Sequence, residues 1–251
     1  MKQTVKMMCL ALLMVGMGMS AQAQFRHSIF PNGNLPLGDF GSSVTANRAT
    51  LLNTTGLPLG YTEIGKGASL GFGIGYRGSY RFDVGVGIVA PFAQADLFWN
   101  MIDGELRDYY MNNDYTTPTY FNVPLMAGVS YLYDELWNDI TPYGEIAFGA
   151  DWMVITREGK GLSTANGTLY YAYKSNISFA WMIGAGAYFG RHVSAGIYYY
   201  GLGIHPVDYT QKTLDNNTVA AAEVFTHTTV DGVKREKRDL GSLALRIGFH
   251  F

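Results

Sequence analysis

The sequence predicts an all-β fold: an eight-stranded antiparallel up-and-down transmembrane β-barrel preceded by a cleaved signal peptide. Three observations carry that expectation. Large apolar residues alternate with small or polar ones in one segment after another, which is the period-two signature of a strand with two unlike faces. The connections between these segments run long, short, long, short, long, short, long. The final segment, Leu243 to Phe251, places Leu243, Leu245, Ile247, Phe249 and Phe251 on one face and Ala244, Arg246, Gly248 and His250 on the other, and it ends on an aromatic residue.

The chain opens with Met1-Lys2-Gln3-Thr4-Val5-Lys6, an apolar run from Met7 to Met19, and Ala21-Gln22-Ala23 before Gln24. A charged start, a short apolar middle and a small-x-small end read as a secretory leader over residues 1–23, cut between Ala23 and Gln24, with a barrel domain over 24–251. The one cysteine, Cys9, lies in that leader. The mature chain therefore has no disulfide, no catalytic thiol and no thiolate metal ligand. Removing the leader takes away Lys2 and Lys6 and no acid, leaving 16 basic against 20 acidic residues. That balance gives no basic patch for nucleic acid. The 31 glycines, 18 tyrosines and 14 phenylalanines suit a β architecture.

In chain order, a first, weakly alternating strand spans Phe25 to about Pro36, and residues 37–66 form a loop. Gly67 to Arg77 alternates glycine or serine with Leu70, Phe72, Ile74 and Tyr76, and a turn at Gly78-Ser79 leads into a third strand over Tyr80 to Ala90. Residues 97–118 read as a second long loop. The fourth strand runs from about Thr119 to Leu132, the fifth from about Ile140 to Thr156, the sixth from Asn176 to Phe189, the seventh from Val193 to about Gly203, and residues 205–240 form the longest loop. A soluble sandwich has no reason to alternate long and short connections. An outer-membrane barrel does, with short periplasmic turns and long external loops, and an even strand number leaves both termini in the periplasm. Closure is required there, because hydrocarbon offers no partner to an unpaired strand edge.

The leader, the eight alternating segments and the terminal strand Leu243 to Phe251 together resemble the small outer-membrane β-barrel family, OmpA-like or OmpX-like, over essentially the whole mature chain. The resemblance implies that Leu245, Ile247, Phe249 and Phe251 form the signal read by the barrel-assembly machinery. It also implies a monomer seated among outer-membrane lipid and lipopolysaccharide.

The inward positions hold Arg81, Asp83, Glu145, Asp151, Arg246 and His250 with Tyr143, Tyr188, Tyr198 and Tyr200. Eight strands enclose a space that side chains just fill, so a salt-bridged plug is expected of Arg81, Asp83, Glu145, Asp151 and Arg246, with an acid such as Asp83, Glu145 or Asp151 opposite Arg246. The expected role is structural or surface-interacting, in adhesion or the envelope, through the long loops; no catalytic, cofactor or metal site is assigned. A narrow porin-like channel for small solutes is the first alternative. A lipid-modifying barrel enzyme is the second, because His192-Val193-Ser194 puts a histidine and a serine two residues apart on one strand. The template-like Gly73-Ile74-Gly75-Tyr76-Arg77-Gly78 lacks the following helix that a dinucleotide site needs. His27, His205 and His227 show no metal spacing. Tyr109, Tyr110, Tyr115, Tyr120, Tyr170, Tyr171 and Tyr173 serve either an extracellular ligand at the loops or the aromatic belt, and Lys234 to Arg238 either holds lipopolysaccharide phosphates or solvates a loop.

Overall fold

A computed structural model describes residues 24–42, 65–102, 104–112, 115–133, 139–156, 158–164, 167–206, 209–214, 224–225 and 237–251. Residues 1–23, where a leader is expected, with Ala23 of the expected cleavage site, lie outside the described residues, as do His227 and residues 234–236.

Eight strands close into a barrel: β1 (Gln24–Gly38), β2 (Gly71–Asp83), β3 (Ile88–Met101), β4 (Thr119–Leu132), β5 (Ile140–Ile155), β6 (Asn176–Phe189), β7 (Val193–Pro206) and β8 (Lys237–His250). Each strand pairs antiparallel with its chain neighbour, and β8 closes on β1 through Ser28–His250, Asn32–Arg246 and Gly38–Leu240. The short connections are residues 84–87, 133–139 and 190–192, at the end that holds both Gln24 and Phe251.

Polarity is inverted relative to a soluble barrel. Ile74, Leu97, Leu125, Ile146, Ile183, Ile197, Leu245 and Ile247 face outward and are exposed, whereas Arg77, Gln94, Asp96, Asn122, Glu145, Asp151 and Arg246 are buried inside. Water would not tolerate such an outer surface, and lipid requires it. Outward aromatics stand at both rims, with Tyr76, Phe148 and Trp181 facing out between them. Phe72, Trp99 and Phe121 lie side by side at the long-loop end, with ring centroids 4.9 and 5.8 Å apart, and Phe25, Tyr80, Phe249 and Phe251 lie at the other end. This is the two-girdle pattern of a membrane barrel. Among the described residues no helix is long and apolar enough to cross a membrane.

Several strand limits differ from those the sequence predicts. The β2–β3 turn lies at residues 84–87, not at Gly78-Ser79, and it uses Gly85 and Gly87, whose φ values of 83° and 151° favour glycine. The Gly73 to Gly78 template lies entirely within β2. The third strand runs on past Pro91 to Met101, so the loop expected from residue 97 starts after it; Pro91 keeps its place opposite Val129 of β4, while the β2–β3 ladder lapses beside it, between the Ser79–Phe92 and Phe82–Val89 pairs. β8 begins at Lys237, which puts two residues of the basic run on a strand. A helix, α1 (Gly104–Asn112), occupies part of the second long loop. Beyond the barrel a separate five-stranded sheet forms from loop segments, in the order Val224–Phe225, Tyr209–Leu214, Gly167–Tyr173, Glu158–Thr164 and Tyr115–Thr116. Its central hairpin, 158–173, continues β5 and β6 outward.

Candidate functional site

The interior is the place where this chain concentrates its chemistry, and it is layered. In the middle, Arg77 of β2 reaches across to Glu145 of β5, donating from Nη1 to Oε2 at 2.7 Å and from Nη2 to Oε1 at 2.5 Å. Its Nε and Nη2 also donate to Gln94 Oε1 at 3.0 and 2.6 Å, and Ser130 Oγ donates to Glu145 Oε2 at 2.7 Å. A bidentate guanidinium–carboxylate pair with its remaining groups hydrogen-bonded is the form in which a buried ion pair is sustainable. Gln94 links this pair to a second, donating to Asp96 Oδ2 at 2.8 Å, while Asp96 Oδ1 accepts from Arg246 Nη2 at 2.5 Å. The rest of the Arg246 guanidinium is faced by the rings of Phe30, Tyr198 and Tyr200, and Phe92 stacks 3.8 Å from the Arg77 guanidinium carbon.

Glycines make room for these groups. A Cβ at Gly75 would collide with Asp96 Oδ1, one at Gly184 with the Tyr198 ring, and one at Gly196 would lie 2.6 Å from the Tyr143 hydroxyl. Tyr143 and Tyr198 join through their hydroxyls at 2.5 Å.

Toward the long loops a second polar group forms. Asn122 Nδ2 donates to Asp151 Oδ2 at 2.7 Å, and His205 lies 3.2 Å from the same oxygen and bonds Asn176 through its other ring nitrogen. His205 turns inward because of a bulge at Leu202, where the β7–β8 register skips a residue and Gly203 adopts a φ of 90°. An apolar layer lies beyond, with Phe40, Phe98, Ile102, Tyr120, Leu202 and Leu240 all buried. Tyr120 anchors it, accepting from Gly65 N and donating to Lys66 O at 3.1 and 3.0 Å. At the short-turn end, His250 is clasped between two serines, Ser28 Oγ at 2.7 Å from Nδ1 and Ser194 Oγ at 2.8 Å from Nε2.

Of the residues assigned to the lumen from sequence, Glu145, Asp151 and Arg246 lie in these networks. Arg81 sits at the short-turn mouth with its guanidinium over Tyr188 at 4.8 Å. Asp83 is not in the lumen: it ends β2, is exposed, and accepts from Gly85 N at 2.8 Å, because the turn falls later in the chain than expected. The partner of Arg246 is Asp96, not Asp83, Glu145 or Asp151. Sequence reasoning misses Arg77, Gln94 and Asp96, although Gln94 and Asp96 continue the inward alternation from Ala90 and Phe92, a signal obscured by Pro91. His192 does not meet Ser194; its Nδ1 contacts the His250 carbonyl at 3.0 Å, and the histidine on Ser194 is His250, whose other ring nitrogen meets the Ser28 hydroxyl. His205 is a buried strand residue and not part of a loop, and Tyr120 belongs to the interior. Among the described residues no cluster of three His, Cys, Asp or Glu could hold a metal. Leu245, Ile247, Phe249 and Phe251 all face outward at the β8 end, and Gln24 opens β1.

No protein-family model and no curated protein sequence matches the chain. Its fold is similar to that of the crystal structure of a major outer membrane protein from Thermus thermophilus, at a TM-score of 0.50 and 11% identity over 91% of this chain and 100% of that one. It also aligns with Ail, the attachment invasion locus protein of Yersinia pestis, in complex with the heparin analogue sucrose octasulfate (TM-score 0.38, 11% identity, 91% and 99% of the two chains). Neisserial surface protein A aligns at a TM-score of 0.37 and 9% identity, over 92% and 98%.

Proposed function

We propose that this chain is an integral bacterial outer-membrane barrel, with both termini periplasmic, that does not conduct and instead anchors its external loops for a structural or surface-interaction role. The observation that carries this reading is the lumen itself, crossed in its middle by the Arg77–Glu145 and Arg246–Asp96 pairs, whose side chains are all at most 4% exposed. A hydrated pore would leave these groups wet and the apolar layer above them open. The inverted polarity, the loop asymmetry and the terminal aromatic strand support the membrane location, and the external five-stranded sheet supplies the presenting surface.

The test is conductance of the purified, heat-modifiable barrel in planar bilayers. No single-channel steps are expected from the wild type, and steps are expected to appear when Arg77 and Glu145 are both replaced by alanine. Steps in the wild type would favour the narrow-channel alternative. For the external role, deletion of residues 158–173 is expected to keep the barrel folded while removing binding of expressing cells to a panel of glycans and matrix proteins. Binding unchanged by that deletion would count against the sheet as the presenting surface.

A further inference from the structure

Among the described residues, seven buried side-chain atoms make no hydrogen bond to the protein: Asn32 Oδ1, Asn34 Nδ2, Asn100 Oδ1, Asn122 Oδ1, Asp151 Oδ1, and Nε and Nη1 of Arg246. Their residues all line the lumen, and none is more than 7% exposed. Protein interiors pair nearly every such group, with protein or with ordered water, because an unmet one is costly. The amides are not simply turned the wrong way. Asn32 Nδ2 donates to Phe30 O at 3.4 Å, Asn100 Nδ2 to Ser69 O at 3.0 Å and to Asn34 Oδ1 at 2.6 Å, and Asn122 Nδ2 to Asp151 Oδ2 at 2.7 Å. Flipping any of these four amides would set oxygen against oxygen or nitrogen against nitrogen.

Most of the unmet atoms stand in file. β2 places Gly71, Gly73 and Gly75 at successive inward positions, a bare stripe across which neighbouring side chains lean. A Cβ on Gly75 would run into Asp96 Oδ1, which accepts from Arg246. One on Gly73 would lie 2.7 Å from Asn32 Oδ1, and one on Gly71 would run into Asn100 Nδ2, the group bonded to Asn34. Successive groups are therefore about 7 Å apart, two residues of strand, and one water with two hydrogen bonds spans nearly that distance.

The chemistry of each gap fits the same molecule. Between Arg246 and Asn32, which are register partners on β8 and β1, the unmet groups are guanidinium N–H donors and an amide oxygen. Between Asn34 and Asn100 they are an amide N–H and an amide oxygen. A water accepts from the donor and donates to the acceptor of each set. The rest of the Arg246 guanidinium faces the Phe30, Tyr198 and Tyr200 rings. On the neighbouring wall Asn122 and Asp151 each keep one oxygen without a donor, and a third water supplies a hydrogen to both. Arg77, Gln94 and Glu145 differ: each of their side-chain polar atoms is bonded, so the plane of that ion pair needs no water.

We propose that the lumen binds three ordered waters, two over the β2 glycine stripe and one between Asn122 and Asp151. Held singly at atoms without access to solvent, they complete the packing and do not join into a column. The first lies across the seam where β8 closes on β1. The inference goes beyond the anchoring role proposed above and depends only on the closed barrel.

A high-resolution crystal structure of the refolded barrel tests it, for the wild type and for Asn32→Leu and Asn122→Leu. The wild type is expected to show one water within about 3 Å of the unmet atoms of each set. Asn32→Leu is expected to lose the water beside Arg246 and keep the other two, and Asn122→Leu to lose only the water beside Asp151. Direct bonds among the seven atoms, or sets without density, overturn the sites, as do waters that stay in place in both variants. A peak at Asn122 and Asp151 with oxygen contacts of about 2.4 Å, as calcium makes, assigns that set to a cation and overturns its water. Where a variant loses heat-modifiable migration, the wild-type map decides alone. Channel steps from the wild type would defeat the non-conducting role and leave the waters standing, whereas a silent barrel without them defeats this inference only.

Discussion

The central ion pair offers the most exacting test of a dry, packed lumen. Replacing Arg77 with methionine strips Glu145 of both guanidinium bonds and leaves the carboxylate with the Ser130 hydroxyl alone. Orphaning one member of a buried pair costs about 3 to 5 kcal/mol. That is roughly a 150- to 5,000-fold fall in the folded-to-unfolded ratio. Glu145→Leu, which orphans the guanidinium, is expected to cost a similar amount, less what Gln94 Oε1 recovers by keeping its two bonds to Arg77. The double variant is the informative one. Removing both charges together is often nearly neutral, and Gln94 Oε1, which loses both of its bonds from Arg77, adds about 1 to 2 kcal/mol. The double variant should therefore lie within about 1 to 2 kcal/mol of wild type, giving a coupling energy of several kcal/mol. Urea titration of the refolded barrel in detergent, followed by tryptophan fluorescence, measures all four corners of the cycle. Single variants that each cost under about 1 kcal/mol and simply add would mean that the pair sits in water, and the plugged lumen would be refuted.

Further outcomes follow from other positions. Leu125, 55% exposed near the middle of β4, faces lipid, so Leu125→Arg should cost about 2 to 4 kcal/mol in lipid vesicles, against almost nothing if that face were solvated; the shift in the urea midpoint decides. Gly184→Ala, whose new methyl would run into the Tyr198 ring, should destabilise by about 1 to 3 kcal/mol through overpacking, read as a lower temperature for loss of the fast-migrating gel form. Phe251→Ala should reduce the fraction of protein assembled in membranes of growing cells while the refolded protein keeps heat-modifiable migration, as expected if the terminal aromatic serves recognition during assembly more than the finished fold.

The alternation of β4, β5 and β6 is legible because lipid and lumen impose opposite chemistry on successive residues, and Phe121 to Tyr131 or Ile146 to Trp152 show it without interruption. Strand ends are harder to read. A lumen lined with Gln94, Asp96 and Asn100 has the composition of a loop, so β3 looks finished at Ala90. Lys237 and Arg238 resemble loop residues for the same reason. His205 is hidden differently: the bulge at Leu202 breaks the period of two that would have marked it as inward. Which acid meets which arginine depends on barrel closure and on stagger, since Asp96 and Arg246 stand 150 residues apart. Local spacing carries no record of that.

The serine clasp on His250 bears on the order of events in time. Seven of the eight strand pairs join chain neighbours through a connecting loop, but Ser28 and His250 are 222 residues apart. Contacts of such separation form slowly, because the loss of chain entropy precedes any reward. Ser28 lies on β1, Ser194 on β7 and His250 on β8, so the three can meet only after the last strand has found the first. The environment of His250 is thus a clock for completion: an imidazole resonance that moves late, after tryptophan fluorescence has settled, would time the moment at which a curled sheet becomes a ring.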